Sequence, residues 1–175
     1  LKVEMVSNEA MQTSAIEGEY LNRDSVQSSI RRQFGLQTDR RQVTPAEYGI
    51  AEMMVNLYTH FQQPLSHQTL FDWHSMLLNG RRDLQVIGAY RTHVEAMQVV
   101  SGRLDNPKIH FEAPPSEQMA AEMADFVDWF NRTEINAPEA LPPLIRAGIA
   151  HLYFVSIHPF EDGNGRIARA LAEKA

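Results

Sequence analysis

The chain has 175 residues, 43% hydrophobic and 22% charged, with a formal net charge of -6, which suits one soluble globular unit with a sizeable core. The lack of cysteine excludes a disulfide framework, thiolate chemistry and a cysteine zinc site, and fits a reducing, cytoplasmic setting. The acidic balance argues against a general nucleic-acid binder, and no apolar run reaches signal-peptide or membrane-spanning length. The chain opens on Leu1 rather than methionine and stops at "RALAEKA" inside a helical pattern, so a fragment of a longer protein is expected.

Helical spacing dominates, and the expected fold is all-α: six to eight helices around a central one, with one β-hairpin. The first signal is "SAIEG". Ser14 to Glu17 has the form of a capping box, yet Gly18 follows at once and suits a helix end; both readings stand. "TPAEYGIAEMMVNLYTHF" offers Thr44 as N-cap, Pro45 at the first helical position and Glu47 closing a capping box. Ile50, Met54, Leu57 and Phe61 form its stripe. The next helix starts at Ser66 and stops at Asn79-Gly80, with Leu70, Trp73 and Leu77 on one face.

"MQVVSGRLDNPKIHF" breaks the pattern. Met97 to Val100 and Lys108 to Phe111 read as two short strands, with Gly102, Asn106 and Pro107 in a long loop between them. An isolated hairpin has little stability, so this one must lean on the helices. Ser116 then reads as the cap of a helix with Met119, Met123, Phe126, Val127 and Phe130 inward. From Leu144 to Ile157 the sequence is apolar nearly all round, which predicts a central buried helix. It should end near His158, because Pro159 follows.

The junction "HPFEDGNGRIAR" carries the chemistry. Gly163-Asn164-Gly165 turns into a second helix whose first amides lack intrahelical partners and can hold an anion. Arg166 and Arg169 lie on one face of that helix, at the end where its dipole is already positive. Two arginines placed there make sense if a strongly anionic group sits over the turn, since the guanidinium fork suits phosphate oxygens. A carboxylate beside a phosphate is repelled unless a hard cation bridges them, and Mg²⁺ joins carboxylates to phosphates in this way; Asp162 is the candidate ligand. His158 is the side chain best matched to taking a proton near neutral pH. Together these are the parts for phosphoryl or nucleotidyl transfer to a hydroxyl.

The junction resembles the Fic-family signature, His-Pro-Phe-x-Asp-Gly-Asn-Gly-Arg-x-x-Arg, at every specified position. The resemblance continues upstream through "GAYRTHVEAMQVVSG" and "IHFEAPPSEQMAAEMADFVDWFN". It implies AMP transfer from ATP to a Tyr, Thr or Ser hydroxyl of a target protein, releasing pyrophosphate. On that resemblance His158 is the general base and Asp162 the Mg²⁺ ligand. Gly163, Asn164 and Gly165 line the phosphate nest, while Arg166 and Arg169 hold the outer phosphates, Arg169 chiefly the γ-phosphate. Met97, Gln98, Val99 and Val100 become a flap that docks the target as an added strand. Relatives of the Doc type, which transfer a terminal phosphate, carry lysine where Gly165 stands; glycine leaves room for a triphosphate in the AMP-donating orientation.

"TSAIEG" is similar to the family's inhibitory motif Ser/Thr-x-x-x-Glu-Gly, with Thr13 leading and Ser14, Glu17 and Gly18 inside it. The implied division is an N-terminal segment with an inhibitory helix over residues 1–40 and a catalytic core over 41–175, truncated on its C-terminal side. Residues for the adenine are then expected partly beyond Ala175. Implied partners are ATP and a hydroxyl-bearing target protein, with no membrane or nucleic acid and a homodimer as a candidate assembly. Two rival readings stay open: removal of AMP by a water that Glu17 activates, and a non-catalytic module that only binds nucleotide. A pure binder has no need of His158. His60, His67 and His74 recur every seven residues, but a helical metal chelate needs i,i+4 spacing and Pro64 interrupts the series. His151 reads as a packing residue of the central helix.

Overall fold

In a computed structural model the described residues are 2–39, 41–103 and 106–175. They form seven α-helices and one hairpin: α1 (Lys2–Ile16), α2 (Arg23–Gln33), α3 (Pro45–Thr59), α4 (His67–Leu77), β1 (Gln98–Arg103), β2 (Asn106–Glu112), α5 (Met119–Arg132), α6 (Pro143–Ile157) and α7 (Asn164–Lys174). The all-α expectation with one hairpin holds.

The hub differs from the sequence reading. α3 packs against α1, α2, α4 and α7, whereas α6 meets only α5 and α7 among the described elements. α3 is buried through Ile50, Ala51, Met53, Met54 and Leu57, and α1 and α2 add Val6, Ala10, Val26 and Ile30 to the same core. α6 buries only Arg146, Ala150, Phe154 and Ile157, and its Leu144 (87%), Ile145, Ile149 and Leu152 (66%) are exposed. Its apolar sequence therefore reports two apolar faces of which one is covered.

Local signals explain the helix starts. Thr44 and Glu47 form the reciprocal capping box, and Ser66 accepts the Thr69 N–H to open α4. Phe61 falls outside the α3 stripe, because the helix stops at Thr59 and leaves the ring exposed. Ser116 is not a cap: it opens a short 3₁₀ turn, and its hydroxyl donates to His93 O while accepting from Arg91 Nη1. The α5 stripe otherwise packs as read, with Met119, Met123, Phe126 and Phe130 buried.

The hairpin is antiparallel, pairing Gln98 with Glu112 and Val99 with Phe111, with an irregularity between Val99 and Val100. Gly102 and Pro107 pair within the ladder rather than lying in a loop. Only residues 104–105, outside the described residues, separate the strands. Met97 precedes β1, and its carbonyl accepts the Ala113 N–H to close the hairpin base.

Candidate active site

The α6–α7 junction is built around an unusual backbone. His158 caps α6 in the left-handed region (φ 52, ψ 59), which a residue with a Cβ adopts only when its surroundings impose it. Arg91 imposes it. This side chain is 2% exposed; its Nε donates to His158 O at 2.8 Å and its Nη2 to Pro114 O. Its own N–H donates to Pro159 O at 2.8 Å. One guanidinium thus joins the α6–α7 loop to the root of the hairpin.

Below the loop, Phe160 is fully buried and stacks on His74 with centroids 4.1 Å apart. The Asn164 side chain accepts from Phe160 N–H at 3.0 Å and donates to Phe160 O at 2.8 Å. It is therefore committed to bracing the loop, and only its backbone N–H can face an anion. Gly163 takes φ 80 at the N-cap of α7, a conformation glycine adopts without steric penalty.

His158 lies beside the hairpin. A cavity of about 80 Å³ is lined by Met97, Gln98, Val99, Phe111, Ala113, Val155 and His158. His158 Nδ1 is 3.4 Å from Val155 O, which favours the tautomer protonated there and leaves the Nε2 lone pair free. Burial, helped by the positive charge of Arg91, holds the imidazole below the ordinary histidine value. That shift favours the uncharged imidazole near neutral pH.

Asp162 sits at the N-terminal end of α7. It accepts from Gly163 N–H at 2.6 Å and from Arg81 Nη1 at 2.8 Å, and lies 3.9 Å from Arg166. Burial would raise its carboxyl, but the Gly163 N–H with Arg81 and Arg166 outweighs that and holds it below the ordinary range. No group of three His, Asp or Glu side chains suited to a metal occurs among the described residues. A single hard-oxygen donor beside two arginines fits a Mg²⁺ that arrives with phosphate oxygens, not one held by protein alone.

Both α7 arginines are engaged by the end of α1. Arg169 Nη2 donates to Glu17 Oε1 at 2.6 Å and to Thr13 O at 3.1 Å, and its Nε donates to Thr13 Oγ1 at 2.7 Å. Arg166, whose side chain is 7% exposed, pairs with Glu19 at 2.7 Å. α1 ends at Ile16 and turns through Gly18 (φ 78), with the Gly18 N–H donating to Ala15 O and the Glu19 N–H to Ser14 O. That is a helix end, so Ser14 is no N-cap and lies buried in the last turn. Glu17 lies over Gly165, where an added Cβ would overlap its carboxylate oxygen.

The junction thus gathers His158, Asp162, Gly163, Gly165, Arg166 and Arg169, with Glu17 and Gly18 above them and Val99 across a cavity. The other histidines serve separate ends. His60 sits at the end of α3, with Nδ1 3.1 Å from Asn56 O. His67 Nδ1 is 2.6 Å from the Tyr90 hydroxyl, His74 accepts the Gly88 N–H at 2.9 Å, and His151 is half-buried on α6. Sequence reasoning missed Glu19, Arg81 and Arg91. A second carboxylate two residues after Glu17 was the available signal for Glu19; nothing local singled out Arg81.

Residues 64–175 match the Fic/DOC family, and residues 1–36 match a domain of unknown function, DUF4172. Protein adenylyltransferase fic-1 of Caenorhabditis briggsae is 38% identical over 76 residues, covering 42% of this chain and 14% of its own. A uridine 5'-monophosphate transferase of Xanthomonas campestris pv. campestris is 33% identical over 109 residues, 61% of this chain and 20% of its own. The crystal structure of a Fic family protein from Desulfovibrio desulfuricans G20 is 26% identical with a TM-score of 0.63, covering 98% of this chain and 48% of that one. Fic-1 (residues 134–508) from C. elegans is 25% identical at the same TM-score, with 98% and 47% covered. The chain spans 14% to 20% of the length of these two curated relatives and about half of the solved chains. It belongs to the Fic/DOC family.

Proposed function

We infer that the chain transfers AMP from ATP to a hydroxyl side chain of a target protein and is held inactive by Glu17. The observation that carries this reading is the convergence on one loop of a half-buried His158, its imidazole held below the ordinary value, and a pair of arginines already holding carboxylates where phosphates would go. Similarity to the protein adenylyltransferases of Caenorhabditis supports it.

In the proposed step the target hydroxyl oxygen attacks the α-phosphorus of ATP. A P–O bond forms there, the α–β bridging bond breaks, and pyrophosphate leaves. The hydroxyl proton goes to His158 Nε2. The first amides of α7, with Arg166 and Arg169, hold the β- and γ-phosphates. Asp162 would hold a Mg²⁺ ion, which would supply charge neutralisation to the leaving group. Hairpin residues Gln98 to Val100, after Met97, present an edge on which an extended target segment adds as a strand, placing its side chain in the cavity beside His158.

Residues 1–40 act in this scheme as the inhibitory segment and 41–175 as the catalytic core. With Glu17 on Arg169 the γ-phosphate cannot settle, so ATP lies in a posture unsuited to AMP transfer. Incubation with isotope-labelled ATP and a lysate, followed by mass spectrometry for an AMP adduct, tests the reaction. UTP in parallel tests the nucleotide, since a relative over 61% of the chain is named a uridine 5'-monophosphate transferase.

A further inference from the structure

The inhibitory contact described so far involves one carboxylate and one arginine, yet both arginines of α7 are occupied. We propose that the turn Glu17-Gly18-Glu19 is a two-pronged latch, in which Glu19 holds Arg166 as Glu17 holds Arg169, so that full access for a polyphosphate requires both prongs to leave. This rests on the autoinhibited reading of the same site.

Three observations carry it. Glu19 Oε2 lies 2.7 Å from Arg166 Nη1 across 147 positions of sequence, a contact that only the fold brings about. Arg166 is the more enclosed arginine, 7% exposed against 24% for Arg169, so its pair is less screened by solvent. Its Nε has no hydrogen-bond partner, and Asp162, its other anionic neighbour, stands at 3.9 Å. Glu19 is therefore its main counter-charge.

The turn geometry makes the two prongs one unit. With Gly18 at φ 78, residues 17 and 19 leave the helix end on a left-handed bend whose Glu19 N–H returns to Ser14 O at 3.0 Å. Thr13, one turn back, adds its hydroxyl and carbonyl to Arg169. A fixed turn carrying two carboxylates thus meets a fixed helix carrying two guanidiniums. Two anionic groups on two arginines is also the arrangement a polyphosphate would need, so the turn competes for both cations. Losing Glu17 alone leaves Arg166 neutralised and the latch half closed.

The test uses Glu17→Gly, Glu19→Gln and the double variant of the full chain, with Glu19→Ala as a second removal of the same prong. Affinity for Mg-ATP is measured by calorimetry, and self-modification by transfer of labelled AMP. Glu19→Gln should tighten nucleotide binding by about threefold to tenfold, the range of a partly screened charged pair. The double variant should exceed Glu17→Gly in both binding and transfer. Unchanged melting temperature in Glu19→Gln, which keeps the side-chain shape, shows that the fold is intact. If Glu19→Gln and Glu19→Ala both leave affinity and transfer unchanged, alone and with Glu17→Gly, the second prong does not exist. If Glu17→Gly is itself silent, the autoinhibited reading fails instead, and the two failures are separable.

Discussion

Arg169 Nη2 donates to Glu17 Oε1 at 2.6 Å across 152 positions of sequence, and the same carboxylate lies where a side chain on Gly165 would have to go. The inhibitory candidate and the phosphate-binding candidate therefore occupy one space. Glu17→Gly should raise AMP transfer, including self-modification, on the order of tenfold or more, the worth of a charge-assisted pair. Melting temperature should stay near that of the parent, because Glu17 is exposed and caps nothing. Labelled transfer and a thermal melt check both halves.

His158→Ala should lower transfer by about 10² to 10⁴, the usual worth of a general base, while nucleotide affinity stays near its parent value. Burial and Arg91 hold the imidazole below the ordinary histidine value, so the base stays unprotonated to lower pH than a free histidine. The acid limb of the rate profile should accordingly fall below that value. A limb at or above it would remove His158 from the scheme as a base with a lowered value.

Asp162→Ala should weaken nucleotide binding only when Mg²⁺ is present. It also releases Arg81, whose Nη1 holds the carboxylate at 2.8 Å. Calorimetric titration of ATP with and without Mg²⁺ separates the two effects; equal loss in both arms would make Asp162 a structural partner of Arg81.

Val99→Pro should reduce transfer to a target about tenfold by removing a backbone donor from the hairpin, with nucleotide affinity unchanged. Val99 pairs with Phe111 and lines the cavity beside His158. Steady-state kinetics against target concentration reads the loss.

His74 yields a stability prediction. Burial pushes its imidazole from 6.5 down to about 4. The folded value lies below the unfolded one, so the stability it contributes is complete above pH 6.5 and is lost as pH falls toward 4. The slice is about 3 kcal/mol. Denaturant melts at pH 7 and pH 4.5 should show the gap between the parent and His74→Gln narrowing with acid. A gap independent of pH would contradict it.

The helix starts and the turn between α6 and α7 were legible because their causes are local: a capping threonine, a proline at the first position, glycines at a turn. Thr44 and Glu47 announce α3 from four residues. What stayed hidden depends on distance. Nothing near Glu19 names Arg166, and nothing near Arg81 names Asp162, since each pair forms only when segments far apart in sequence meet. α6 misled for a related reason: its composition records how much apolar surface it has, while which face is covered depends on the neighbours α5 and α7. Arg91 lay within the "GAYR" stretch that resembles the family, but its three carbonyl and hydroxyl partners come from the hairpin root and the His158 loop.

The decisive measurement is intact-mass spectrometry of the purified chain after incubation with Mg-ATP, comparing parent, Glu17→Gly and Glu17→Gly/His158→Ala. An AMP adduct abundant in Glu17→Gly, sparse in the parent and absent when His158 is also replaced is the expected result. An adduct of equal abundance in parent and Glu17→Gly, or one that survives loss of His158, would contradict an autoinhibited transferase with His158 as its base.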